Sequence, residues 1–188
     1  MKRILKRLGA VASLFLLLAS AAPALAWELA GTRTITLHGR NGEAIPIGTV
    51  TFQPAGPRTV FTLDIDHGRF KDFFLSMKEF KCLEGPEVMC LVPYPYANPA
   101  TVTPDDLRWL EHALLFLYKA PKDFGARLWN GLIFRMSLTD EGIVGSVQAV
   151  DLTLIGAPPL DTTIPPFGPG DRQDINADSR WLGRLTIR

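Results

Sequence analysis

Histidine and cysteine, on which most metal and redox sites depend, are scarce, with three His and two Cys in 188 residues. The two cysteines do not form a C-x-x-C pair, and the chain contains no H-E-x-x-H, G-x-S-x-G or S-x-x-K frame, so none of the usual signatures of disulfide exchangers, zinc proteases or serine hydrolases is present. Beyond the first 26 residues there is no dense Lys/Arg cluster, which removes the electrostatic footprint expected of a nucleic-acid binder and argues against an anionic membrane surface as partner. No apolar run reaches the roughly 20 residues that a helix needs to cross a bilayer. No internal repeat is visible.

Acids are also missing from the first 26 residues, and there the absence is informative. Lys2, Arg3, Lys6 and Arg7 precede an apolar stretch from Leu8 to Ala19, and small residues then lead to Ala24-Leu25-Ala26. A basic head, a short apolar middle and an A-x-A end describe a secretory signal peptide cleaved before Trp27. Pro23 and the brevity of the apolar stretch fit a peptidase site better than a retained anchor. No cysteine follows the cut, so a lipidated N-terminus has no attachment point. Removing four basic residues and no acid turns the net charge from +1 to −3. The expected organisation is a signal over 1–26 and a single globular domain over 27–188, delivered to the periplasm or secreted. In such an oxidising compartment Cys82 and Cys90, flanking Glu84-Gly85-Pro86-Glu87, are expected to form a disulfide across a turn.

Polar and apolar residues alternate through Phe61, Leu63 and Ile65 on one side and Thr62, Asp64 and Asp66 on the other, the period of a half-buried strand. The apolar pattern resumes after His67-Gly68, from Phe70 to Phe80, as a hairpin would. Thr34 to His38 and Ile45 to Gln53 flank Asn41-Gly42, whose tolerance of positive φ suits a tight hairpin turn. Leu128 to Leu138 and Ile143 to Ile155 flank Thr139-Asp140-Glu141-Gly142, and Trp181 to Arg188 reads as a last strand. With a short piece at Met89 to Val92, these readings total about eight strands. One amphipathic helix is expected over 104–119: Thr103 as cap, Pro104 in the first turn, Asp105 and Asp106 against the N-terminal dipole, Lys119 near the end and Pro121 as the stop. The prolines of 93–99 and of 156–170 keep both segments out of a sheet. The fold expected is mainly β, an antiparallel up-and-down barrel or strongly curved sheet, with a β-sandwich or α+β sheet as the alternative. Trp27 and Gly31 before the first strand, with Ile45 to Phe52 after the turn, are similar to the opening of lipocalin-like barrels, though no distinctive motif accompanies them.

Candidate sites are few. Asp64, Asp66 and His67 place two carboxylates and an imidazole close together on what alternation makes a solvated face and a turn. Glu111-His112 lacks the second histidine of a zinc-protease helix, Phe116 standing in its place. Asp174, Asn176 and Asp178 have the spacing of the first three ligands of a calcium loop, but Ser179 replaces its glycine and Leu185 its last carboxylate. Tyr94, Tyr96, Trp109 and Trp129 could line an apolar pocket or simply belong to the core. No cofactor is expected. Three functional classes remain: non-catalytic binding of a small apolar ligand by an exported envelope protein, interaction with an envelope protein as an assembly factor, and hydrolase-type catalysis from Asp64, Asp66 or Glu111-His112. N-terminal sequencing of the exported protein is expected to begin at Trp27; a start at Met1 would refute the cleavage.

Overall fold

The computed structural model describes residues 27–75 and 79–188; the segment read as a signal lies outside them. The chain opens with three strands joined by tight turns, β1 (Gly31–His38), β2 (Ala44–Ala55) and β3 (Arg58–Ile65). The first turn is the expected one, with Gly42 at φ +83° and the Asn41 side chain accepting from Glu43 N at 3.2 Å. The second uses Gly56-Pro57. Gly48, at φ +149°, sits where the β1–β2 register shifts, and a Cβ there would come within 2.3 Å of Asp64 O. Such a bulge bends its strand and helps the sheet to curl.

β4 (Lys71–Phe74), β5 (Glu79–Glu84) and β6 (Val88–Val92) follow, then β7 (Thr101–Val102), helix α1 (Arg108–Ala113) and β8 (Leu115–Lys119). β9 (Gly131–Thr139) and β10 (Gly142–Val150) form the third hairpin expected from sequence. β11 (Arg172–Asp174) and β12 (Arg184–Ile187) then share one edge of β10. Among the described residues there are twelve strands, against the about eight read from sequence, and all belong to one antiparallel sheet, ordered β4-β5-β6-β8-β9-β10-β12-β1-β2-β3-β7 with β11 to the side. The fold is therefore mainly β, and the sheet is curved without closing.

The curl follows from chain length. Eleven strands at about 4.8 Å spacing would span about 48 Å if flat. Yet only residues 66–70 connect β3, near one end of the order, to β4 at the other, and so short a link reaches about 20 Å at most. The two ends must approach each other. Ile35, Leu37, Val50, Phe52, Phe61, Phe116, Phe134 and Ile187 fill the concave side. Trp181 fastens two distant hairpins across the curl, its N–H groups donating to Glu87 Oε2 at 2.9 Å and Glu43 Oε2 at 2.8 Å.

Two readings from sequence are corrected. β3 and β4 do not form a hairpin: His67–Arg69 is a one-turn 3₁₀ helix that carries the chain across the gap, and β4 pairs with β5. The helix expected over 104–119 is only the six residues of α1, because its ends serve other structures. Thr103 and Asp106 exchange backbone hydrogen bonds at 3.0 and 3.1 Å, so Pro104 and Asp105 form a turn rather than a helix start. Leu115 to Lys119 is a strand between β6 and β9 with both faces covered: Phe116 enters the concave core, while Leu115 and Leu117 join a second core on the convex side. A strand buried on both faces is continuously apolar and mimics a wide helical stripe.

The second core also contains Cys82, Cys90, Ile133 and Val150, and is capped by Leu152 and Ile155 from the 3₁₀ turn after β10 and by Phe167 from the proline-rich stretch. Cys82 and Cys90 are direct partners on β5 and β6 and form a disulfide. Replacing both by alanine should cost about 2 to 3 kcal/mol through the freed unfolded chain, read as a lower urea midpoint; an unchanged midpoint would show the bridge to be neutral.

Candidate functional site

Along β9, pairing with β8 is limited to Leu132 and Gly131. Beyond it α1 lies across this end of the curl, between β9 and β7, and a side chain completes what the strand leaves open. Glu111 Oε1 accepts the backbone N–H of Met136 at 2.8 Å, and Glu111 Oε2 accepts from Arg172 Nη1 at 2.6 Å. Both side chains of this ion pair are buried. Arg172 Nε also donates to Phe167 O at 2.9 Å, holding the end of the proline-rich segment against α1.

His112, the next residue of α1, is fully buried. Its Nε2 accepts the N–H of Phe167 at 3.0 Å, so the proton must sit on Nδ1, which donates to Arg108 O at 2.8 Å. The ring is neutral, with both nitrogens engaged. Burial above all, and the nearby Arg172 and Arg108 guanidiniums, push its pKa down to about 4. Phe167 stacks on it at 5.4 Å between centroids.

Three of the four aromatic residues singled out from sequence converge here. Tyr94 lies 5.7 Å from Tyr96 and 6.2 Å from Trp109, and 6.1 Å from His112. Tyr96 donates its hydroxyl to Ile155 O at 3.1 Å. These rings pack on one another. Trp129 stands apart, 64% exposed, on the 3₁₀ turn Leu128–Asn130.

On the convex face beside this cluster, α1, β9, β10 and β11 enclose a cleft of about 660 Å³. Pairing of Gln148 with Asp174 and of Val150 with Arg172 places Gln148, Asp174 and Arg172 on one face of the pleat. Gln148 Nε2 donates to Asp174 Oδ1 at 2.6 Å. Two buried atoms of the lining lack partners among the described residues: Arg172 Nη2, a donor, and Gln148 Oε1, an acceptor. At the rim stand Asp105 and Arg135, neither in an ion pair among the described residues, and the paired Asp106 and Arg108. Arg108 holds the Asp106 carboxyl below the usual carboxylate range. The lining thus offers unspent hydrogen-bonding capacity of both kinds.

The other candidates are dispersed. Asp66 Oδ1 caps the short helix after β3 by accepting from Gly68 N at 3.1 Å, and the carboxylate pairs with Arg69. Asp64 and His67 face an open depression on that side of the molecule, away from Glu111-His112. Of the calcium-spaced residues, Asp174 is held by Gln148, Asn176 caps a turn by accepting from Asp178 N, and Asp178 pairs with Arg184. Among the described residues no group of three or more His, Cys, Asp or Glu side chains is placed to hold a metal. Arg135, Gln148 and Arg172 had not been singled out from sequence. The first two had a faint signal, each a polar residue inside an apolar strand; Arg172 had none. The chain matches no known protein-family model, no curated protein and no solved structure.

The depressed His112 pKa has a consequence for stability. Where the unfolded chain binds a proton that the folded one refuses, stability falls as pH falls. For His112 that window runs from its ordinary value of 6.5 down to about 4, worth on the order of 3 kcal/mol. His38, lowered by burial and by Arg188, adds in the same direction. Carboxylates with lowered pKa values, such as Asp106 and Asp178, act in a separate window below their ordinary 3.8. The urea midpoint is expected to drop between pH 6.5 and 4.5, and the drop to shrink in His112→Gln; an equal slope in that variant would remove His112 as its source.

Proposed function

We propose that this is an exported, non-catalytic binding protein whose ligand occupies the polar cleft between α1 and the β9–β10–β11 face. The observation that carries the reading is the pair of buried, unpartnered polar atoms lining it, Arg172 Nη2 and Gln148 Oε1. A buried polar group without a partner costs about 1–3 kcal/mol, and a ligand supplying the missing bonds recovers that cost. Export is supported by the N-terminal pattern and by the Cys82–Cys90 disulfide, a bond that persists in oxidising compartments.

The cleft favours a polar ligand over the apolar one suggested by the aromatic content, since Tyr94, Tyr96 and Trp109 spend their faces on each other and on His112. Binding is also better supported than hydrolysis. His112 has no free nitrogen to take a proton from a substrate, and Glu111 is committed to Met136 and Arg172.

One observation favours the assembly-factor reading: Phe74, Phe124, Trp129 and Leu160 are exposed large apolar side chains. Apolar surface of this kind marks contact sites when it is contiguous. Native mass spectrometry of the exported protein separates the two. A small polar mass lost on unfolding, and retained about tenfold less by Gln148→Met, is the expected result. An apo mass together with a crosslinked envelope protein would favour assembly instead.

A further inference from the structure

The charges around the cleft limit what can sit in it. Its lining carries the carboxylates of Asp105, Asp106, Glu111 and Asp174 and the guanidiniums of Arg108, Arg135 and Arg172. Glu111 and Arg172 neutralise each other, as do Asp106 and Arg108. What remains, among the described residues, is one guanidinium without an ion pair, Arg135, two carboxylates without one, Asp105 and Asp174, and the two orphaned atoms. A phosphate-like dianion would satisfy the guanidiniums but lie against Asp105 and Asp174. A simple cation would meet Arg135 and the orphaned Arg172 donor. A neutral polyol would leave both rim charges unanswered.

Resting on the cleft reading above, we propose that the ligand is a small zwitterion of the free amino acid or short peptide class. Its carboxylate takes the free Nη2 of Arg172 together with Arg135, and its ammonium takes Gln148 Oε1 together with Asp174. The strand register supports this division. Gln148 lies opposite Asp174 and diagonal to Arg172 on the same face of the β10–β11 pair. Diagonal neighbours stand about 7–8 Å apart, within reach of one small molecule held between their side-chain ends. Arg135 of β9, opposite Ser146 of β10, is the diagonal neighbour of Gln148 on the other side of β10. Gln148 therefore lies between the two arginines along this face, and the Arg172 side chain reaches toward Arg135, because it bonds Glu111, which holds the N–H of the adjoining Met136. Asp174 keeps one carboxylate oxygen free of the Gln148 bond, which suits an ammonium with several N–H donors.

Isothermal titration calorimetry on the disulfide-intact domain from Trp27 onward tests the assignment, after unfolding and refolding to strip any retained ligand. The probes are L-leucine, L-glutamine and the dipeptide L-Ala-L-Ala, each beside its N-acetyl and C-amide derivatives, with glucose as a neutral control. At least one zwitterion is expected to bind, with blocking of either terminus weakening it at least about tenfold. Arg135→Ala, a substitution at an exposed side chain, is expected to weaken the free form by a similar factor and the C-amide much less. Equal binding of free and blocked forms, or binding of glucose or of only acids or only amines, overturns the zwitterion while leaving the cleft as the site. No binding by any probe overturns the zwitterion. If Gln148→Met also leaves every co-purifying mass unchanged, the cleft reading falls with it.

Discussion

A single buried carboxylate, that of Glu111, ties together the parts of this molecule that chain connectivity leaves apart. One oxygen takes the place of a strand carbonyl for Met136, where β8 no longer pairs with β9; the other fixes Arg172, and through it β11 and Phe167. Helix, sheet edge and proline-rich segment thus meet at one group. Burying such a charge is tolerable only with close pairing and full hydrogen bonding, and Glu111 has both. The short helix, one and a half turns that could not persist alone, is held in place by this group and by its buried neighbours Trp109 and Leu110.

His112 extends the same arrangement. Its neutral ring bridges the α1 backbone and Phe167, so two consecutive side chains of one helix anchor the proline-rich segment. With that segment anchored, Phe167 and Ile155 cover the second core on the convex side, above the disulfide. The cleft lies beside this anchored wall, and its lining is positioned by groups already committed elsewhere. Arg172 is oriented by Glu111 and Phe167, and Gln148 by Asp174. Each keeps one atom unspent, a preorganised donor and acceptor whose cost is borne by the surrounding bonds.

Where the sequence could be read, it was read through local pattern. Asn41-Gly42 marked its turn because only certain residues accept positive φ, and the alternation around Phe61 marked a strand with one face in water. Cys82 and Cys90 flank a turn short enough to be recognised without knowing the fold. Leu115 to Lys119 failed for the opposite reason: covered on both faces, it shows neither strand alternation nor a distinguishing break from the helix before it. His67-Gly68 looked like a hairpin turn, but whether two strands around a turn pair is decided by where the rest of the sheet lies.

The chemistry of the site was less legible than the fold. Glu111 and His112 attracted attention as neighbours in sequence, yet their partners, Met136, Arg172 and Phe167, come from 25 to 61 residues away. Gln148 and Arg135 showed only as polar interruptions of apolar strands. By itself, the sequence determined the β-rich class, the main turns and the disulfide, because each rests on interactions between residues close in the chain. Tertiary structure alone decided the order of strands, the second core and the cleft, because these arise when a sheet curls and brings distant strands, a short helix and a proline-rich segment against one another.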